Sequence, residues 1–175
     1  MTDYRRVWRA GATWFFTVNL ADRSSSLLVD RIELLRDAFR YTLRRHPFRM
    51  DALCILPDHL HAVLTLPAQQ SDFALRWRLI KTEFSRRMPA REARSPSRIR
   101  KGERAIWQRR YWEHLVRDED DLRRHLEYTH FNPVKHRHVE RVADWPHSTF
   151  HRHVREGTYP IDWHGSEDIA RMSMG

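Results

Sequence analysis

The sequence predicts one α+β domain in which an antiparallel sheet carries helices on one face. Segments typical of strands and helices alternate in the order β-α-β-β-α-β, a Pro-Asp turn joins the two middle strands, and a further helix follows the last strand. This is the ferredoxin-like order. The 175 residues suffice for one substantial core, without internal repeats or an evident domain boundary, so we take residues 1–175 as a single domain.

The four strands are indicated by β-branched and aromatic residues and by alternating polarity. The first is Thr13–Leu20 and the second is Phe48–Leu56. The turn at Pro57 leads into the third strand, His59–Leu66, which we expect to return antiparallel as a hairpin partner. The segment Ile106–Val116 alternates again and predicts the fourth strand.

Three helices are expected from apolar residues at helical spacing and from their end signals. The first two are Val29–Arg45 and Ser71–Met88. The third begins at Asp118, an N-cap followed by acidic residues that favour the positive end of the helix dipole. It is expected to end near Asn132, because Pro133 follows.

Two segments lack a regular pattern. Residues 89–104 are rich in Arg, Ser and Pro, and predict a mobile basic loop. The chain from about residue 134 predicts an irregular C-terminal tail that carries the last basic and histidine-rich residues.

The charge distribution favours a polyanion as partner. The formal net charge is +9, and residues 71–117 hold 14 Lys and Arg against 5 Asp and Glu, so this segment accounts for the surplus. The alternative is a solvated basic linker. No apolar run approaches the ~20 residues of a membrane helix. We therefore expect no membrane partner. The single Cys54 excludes an internal disulfide and fits a protein of the reducing cytoplasm.

The third strand contains the pattern most relevant to chemistry. His59 and His61 are separated by one residue, and side chains on a strand alternate with period two, so both imidazoles project from one face. Two imidazoles on a rigid strand form half of a site for a divalent metal. The alternative is a pair of ordinary polar residues on a half-exposed strand.

The third helix supplies the complementary groups. Tyr128 is the best candidate nucleophile, although a phenol with a pKa near 10 needs activation. Asn132 lies one turn later on the same face and offers an amide oxygen as third ligand, which suits Mg²⁺ or Mn²⁺. Taken singly, Tyr128 is also compatible with a half-buried tyrosine and Asn132 with a helix-terminal residue. Tyr111 is the main rival nucleophile, and we interpret it as structural or DNA-stacking.

The ordered set of motifs resembles a known family. His59-Leu60-His61 resembles the HUH motif of single-tyrosine transposases, in which a hydrophobic residue separates two histidines. The stretches Ile106–His114, Leu126–His136 and Asp144–Val154 are similar to the REP-associated tyrosine transposases of bacteria. The resemblance extends from about Thr13 to Trp163.

The resemblance implies an enzyme that cuts and rejoins single-stranded DNA near the hairpins of repetitive extragenic palindromes, through a 5′-phosphotyrosine. By motif position, Tyr128 is the nucleophile, His59 and His61 hold the metal, and Asn132 is the further ligand. One departure concerns the residue after Pro-Val-Lys-His, where the family usually has Gly and this chain has Arg137. We expect this difference to affect the turn after the helix.

The residues expected to bind DNA are basic or aromatic, and most belong to the basic segment. They are Arg76, Lys81, Arg86, Arg87, Arg98, Arg100, Lys101, Arg109, Arg110, Tyr111, Trp112, Lys135 and His136. One alternative is a catalytically inactive protein that binds DNA hairpins. Another is a hydrolytic zinc site formed by His59, His61 and His125. Both a monomer and a homodimer remain open.

Overall fold

The computed structural model describes residues 9–90 and 94–172. Its strands form one four-stranded antiparallel sheet: β1 (Thr13–Asn19), β2 (Arg49–Ile55), β3 (His59–Thr65) and β4 (Trp112–Leu115). The strand order is β2-β3-β1-β4, with β1 pairing antiparallel to both neighbours. The ferredoxin-like sheet predicted from the sequence is therefore confirmed.

The helices have different lengths and lie on both faces of the sheet. Their bounds are α1 Leu27–Asp30, α2 Ile32–Arg45, α3 Phe73–Arg86, α4 Pro96–Arg100, α5 Glu119–Lys135, α6 Phe150–Arg155 and α7 Glu167–Arg171, with a 3₁₀ turn at Val142–Asp144. Within the described part of the chain, no helix has both the length and the apolar character needed to cross a bilayer.

Alternation along β1 divides the core into two layers. Trp14 and Phe16 join the large cluster under α2 and α3, whereas Phe15 points to the other face and packs with Tyr128 of α5. The two central strands, β1 and β3, are almost entirely buried because helices cover both their faces. The face under α5 is the one on which Phe15 contacts Tyr128 and the ring of His61.

Two predicted segments differ from the structure. The fourth strand was expected over Ile106–Val116, but the ladder spans only β4, preceded by a single bridge between Leu20 and Trp107. The chain bends away from the ladder between them, where the Gln108 carbonyl accepts a hydrogen bond from Lys81. The predicted mobile loop contains α4, and its residues 91–93 lie outside the described part of the chain.

The predicted end of α5 is also corrected. The helix continues through Pro133 to Lys135. Pro133 lies in the last turn and removes only one backbone N–H donor, so the helix can include it. It ends in a Schellman motif, in which His138 N–H donates to the Pro133 carbonyl and Arg137 N–H to the Val134 carbonyl. The tail expected to be irregular contains α6 and α7.

Arg137 has a left-handed backbone conformation, with φ of 59°. This is the C′ position of the motif, where glycine is preferred because it lacks a Cβ. The sequence departure from the usual Gly therefore leaves the turn in place and strains one residue.

Candidate functional site

The two histidines of β3 lie side by side on the face covered by α5. His59 and His61 are 4% and 2% exposed, and their ring centroids are 5.0 Å apart. In the sheet register His61 is opposite Thr17 of β1, so the pair lies at the centre of the sheet rather than at its edge. A central strand gives both imidazoles a rigid base.

A second set of side chains orients the two rings. His59 Nδ1 lies 2.7 Å from Asp58 Oδ1, and His61 Nδ1 lies 3.0 Å from Thr17 Oγ1. When each Nδ1 carries the proton and donates it, each Nε2 keeps a lone pair. Arg23 in turn donates to Asp58 Oδ2 at 2.5 Å. Our sequence analysis did not identify Thr17 or Asp58, although Asp58 directly precedes His59.

Helix α5 brings Tyr128 and Asn132 to this pair. The Tyr128 ring is 5.4 Å from the His61 ring, and the Asn132 side chain lies beside His61, where it acts to raise the pKa of that histidine. Burial and the neighbouring imidazoles prevail and hold the pKa of His61 well below its usual range. A neutral His61 is the form that binds a metal.

Two buried polar atoms of this group lack hydrogen bonds. No hydrogen bond of regular geometry reaches His61 Nε2 or Asn132 Oδ1 among the described residues, although the two side chains are close enough for Asn132 to stabilise a protonated His61. Asn132 Nδ2 donates to the Tyr128 carbonyl at 2.6 Å. A buried polar atom without a partner is costly, and a cation would satisfy both atoms. We call His59, His61 and Asn132 the His59 cluster, and its donor set fits a divalent metal.

Other residues border Tyr128. The Lys135 Nζ lies 4.7 Å from the centre of the Tyr128 ring and donates to the Met172 carbonyl. Met172 itself packs against the cluster that contains Tyr128, so the C-terminal segment contacts the tyrosine layer. At the rim, the exposed His136 places its ring 5.0 Å from that of His59.

A second group, which we call the His114 cluster, consists of His114, Asp121 and His125. Its potential ligand atoms lie within 4.8 Å of one another. His114 Nε2 donates to Asp121 Oδ2 at 2.8 Å, and His125 Nδ1 donates to the Asp121 carbonyl at 2.7 Å. Arg117 N–H also reaches Asp121 Oδ2, at 3.0 Å.

The His114 cluster is arranged as a hydrogen-bonded support. Its two imidazoles stack at 4.5 Å with an interplanar angle of 17°, and lone pairs in nearly parallel ring planes do not converge on one ion. Burial alone would raise the pKa of Asp121, but hydrogen bonds from His114 and Arg117 lower it to about 2. The cluster joins β4 to the first turn of α5.

The alternative zinc site with His125 is not supported by this arrangement. Phe15 lies between the groups, with its ring 5.6 Å from that of His61 and 4.8 Å from that of His125. His125 thus belongs to the His114 cluster rather than beside His59 and His61.

The predicted DNA-binding residues occupy different environments. Arg76 is a correction, because it is 1% exposed and its guanidinium donates to the Asp72 and Pro47 carbonyls and to Gln70 Oε1. Helical spacing alone did not reveal that this arginine connects α3, by a hydrogen bond to the Pro47 carbonyl, to the chain that follows α2. The exposed ones are Arg86, Arg87, Arg100, Lys101, Arg109, Arg110, Trp112 and His136, and the partly buried ones are Lys81, Arg98, Tyr111 and Lys135.

Comparisons with known proteins give matches along nearly the whole chain. The chain is 46% identical over 171 residues, 97% of each sequence, to a putative REP-associated tyrosine transposase of Haemophilus influenzae. It is 45% identical over 175 residues to the REP-associated tyrosine transposase of Escherichia coli K12, covering 100% of this chain and 97% of that protein. No model of a protein family matches.

A solved structure gives the same result for the fold. The structure of a REP-associated tyrosine transposase bound to a REP hairpin superposes with a TM-score of 0.82 at 45% identity. The match covers 95% of this chain and 93% of that one.

Proposed function

This chain belongs to the REP-associated tyrosine transposases, and from that premise we propose that it is a metal-dependent single-stranded DNA endonuclease and strand transferase acting at REP hairpins. The observation that carries the proposal is the meeting of Tyr128 with the His59 cluster across the β3–α5 interface. The proposed partner is single-stranded DNA that forms hairpins. The protein would act in the cytoplasm, as a monomer or a homodimer.

The proposed reaction is a transesterification. The Tyr128 oxygen attacks the scissile phosphorus, a phosphotyrosine bond forms, and the bond from phosphorus to the 3′-oxygen breaks. The phenol loses one proton and the leaving 3′-oxygen takes one up. Attack by a 3′-hydroxyl on the phosphotyrosine reverses these changes and rejoins DNA, so no nucleotide cofactor is consumed.

The residues around Tyr128 fit a metal-assisted version of this step. His59 Nε2, His61 Nε2 and Asn132 Oδ1 would hold the ion, and Asp58 and Thr17 would orient the two imidazoles. A bound Mg²⁺ or Mn²⁺ would polarise the phosphate and offset the charge that the phenolate brings. The Tyr128 ring on α5 is 5.4 Å from the His61 ring, so a phosphate held at such an ion would lie beside the phenol.

The basic and aromatic residues would bind the DNA backbone and unpaired bases. Trp112, Lys135 and His136 border the tyrosine layer and are proposed to act near the scissile phosphate. The others belong to the basic segment: Lys81, Arg86, Arg87, Arg98, Arg100, Lys101, Arg109, Arg110 and Tyr111.

The decisive test compares Tyr128→Phe with wild type. End-labelled single-stranded palindromes from beside the gene are incubated with Mn²⁺, and covalent protein–DNA complexes are resolved on denaturing gels. We expect an adduct with wild type and none with Tyr128→Phe, while hairpin binding is retained because only one oxygen is removed.

Tyr111→Phe is the matched control, since Tyr111 is the main rival nucleophile from the sequence and its ring packs on Phe16, on the opposite face of the sheet. It should form the adduct at a rate close to that of wild type. Adduct formation by Tyr128→Phe would reject Tyr128 as nucleophile. Tight hairpin binding by wild type without any adduct would instead favour the inactive binding protein.

A further inference from the structure

A groove of about 770 Å³ lies between α3 and residues 98–111, on the side of the sheet opposite α5. Its walls carry six cationic side chains and one carboxylate, that of Glu103. Its volume lies within the ~300–1,000 Å³ typical of sites for small ligands. The groove therefore offers a positively charged space large enough for a nucleotide.

The floor of the groove is aromatic. Trp107 packs on Phe84 with ring centroids 5.5 Å apart, and its Nε1 donates to Ser85 Oγ at 3.2 Å. Lys81 Nζ lies 5.7 Å from the Trp107 ring and 5.8 Å from the Tyr111 ring. Lys81 thus places a cation over the faces of two aromatic side chains, and grooves that bind single-stranded nucleic acids combine cations with aromatic rings.

The walls are built before any ligand arrives. Arg104 Nη1 donates to the Ser85 and Met88 carbonyls at the end of α3, and Arg98 Nη1 donates to the Trp107 carbonyl. Lys81 Nζ donates to the Gln108 carbonyl at 2.7 Å, and burial lowers the pKa of Lys81 to about 8. Arg78, by contrast, is an exposed cation at the rim.

The edge of the sheet connects the groove to Tyr128. Tyr111 packs on Phe16 in the layer under α3, whereas the next residue, Trp112, lies on the other face with its ring 5.6 Å from that of Phe15. Phe15 in turn contacts Tyr128. Trp112 is 38% exposed on the edge strand β4, so a chain crossing this edge would pass from the tyrosine layer to the groove.

We propose that this groove binds a short unpaired segment of the DNA strand on which Tyr128 acts, with phosphates at Arg78 and Lys81 and a base against Tyr111. The proposal rests on the proposed function for the identity of the strand. It adds a subsite on the opposite side of the sheet, which holds unpaired DNA away from the scissile phosphate. Charge complementarity and the aromatic floor favour single-stranded DNA as the occupant.

Binding is measured with Tyr128→Phe protein in the absence of metal, so that cleavage does not contribute. The probes are a fluorescent hairpin oligonucleotide with a ten-nucleotide thymidine extension and the same hairpin without it. In this background, Arg78→Gln and Lys81→Gln should each weaken binding of the extended probe about five- to tenfold. Each should also reduce the slope of the logarithm of the binding constant against the logarithm of the salt concentration by about one. Arg78→Gln should bind the bare hairpin like its parent.

Arg44→Gln on α2 is the matched control, because it removes the same charge from an exposed site outside the groove. Equal effects of Arg78→Gln and Arg44→Gln would overturn the proposal, since net charge alone would then explain the loss.

Photocrosslinking gives the location directly. With 4-thiothymidine in the extension, we expect crosslinks in the peptide that contains Trp107 and Tyr111. Crosslinks confined to α5 residues would overturn the groove but leave the transferase function intact. Groove crosslinks combined with no covalent adduct in the wild-type assay would reject the transferase function and leave the groove intact.

Discussion

The two histidine clusters under α5 have similar composition but opposite states of hydrogen bonding. In the His114 cluster the Asp121 carboxylate accepts N–H groups from His114 and Arg117. In the His59 cluster, His61 Nε2 and Asn132 Oδ1 are buried without partners among the described residues. The Asp121 carboxylate of the His114 cluster is thus satisfied by its neighbours, whereas the His59 cluster leaves two buried polar atoms without hydrogen bonds.

This difference teaches that proximity of ligand-type residues does not by itself identify a metal site. Buried polar atoms without hydrogen bonds are costly, and in the His59 cluster a bound cation would supply the missing interaction. Satisfied hydrogen bonds and stacked rings instead stabilise the fold. Substitutions in the His59 cluster are therefore expected to affect function, and substitutions in the His114 cluster to affect stability.

The largest effect should come from His61→Gln. We expect this change to abolish the covalent DNA adduct and to weaken Mn²⁺ binding by more than the 10- to 100-fold typical of outer-shell substitutions. Calorimetric titration of the protein with Mn²⁺, without DNA, measures the binding.

His125→Gln provides the comparison within the other cluster. It should bind Mn²⁺ with unchanged stoichiometry and affinity, because His125 belongs to the His114 cluster. Loss of Mn²⁺ binding in His125→Gln but not in His61→Gln would reverse the assignment of the two clusters.

An intermediate effect is expected from Asp121→Asn. The folded-state pKa of Asp121, about 2, lies below its unfolded value, so its ionised form contributes stability above the unfolded pKa near 4 and loses it as the pH falls through about 2. The variant should be less stable than wild type by about 2 kcal/mol at pH 7. Urea unfolding from pH 7 to pH 2 should show this difference shrinking in that window.

Asp120→Asn is the control, because the neighbouring Asp120 side chain is 82% exposed. Its stability should change by less than about 0.5 kcal/mol. A constant difference between Asp121→Asn and wild type down to pH 2 would contradict the role of the ionised carboxylate.

The smallest effect concerns the end of α5 that follows Asn132. Arg137→Gly should stabilise the fold by a net amount of about 0.5–1 kcal/mol, because glycine adopts the left-handed conformation without a Cβ clash. The greater freedom of glycine in the unfolded chain offsets part of this gain. Urea unfolding measures the change. Arg137→Ala keeps the Cβ and should give no such gain, so equal stabilisation by both would exclude backbone strain as the cause.

Much of the His59 cluster followed from local patterns. Period-two alternation predicts that His59 and His61 share a face, and helical spacing predicts the same for Tyr128 and Asn132. These relations involve residues within one element, whose geometry is known once the element is recognised. The β-α-β-β-α-β order was accessible for the same reason.

Other features depended on contacts between distant segments. Arg76 looked like a surface cation, but Pro47 and Gln70 supply acceptors that bury it. The pairing of His114 with Asp121 across the β4–α5 turn was likewise missed. The short β4 results from a bend in the chain that the alternating pattern of Ile106–Val116 does not reveal.

The sequence alone determined the element order, the shared faces of the histidine pair and of the tyrosine helix, and the basic character of residues 71–117. Only the tertiary structure decided which histidines meet Tyr128, which cations are buried and where the groove lies. The physical reason is that periodicity specifies direction within an element, whereas hydrogen-bond satisfaction and burial depend on which elements pack together.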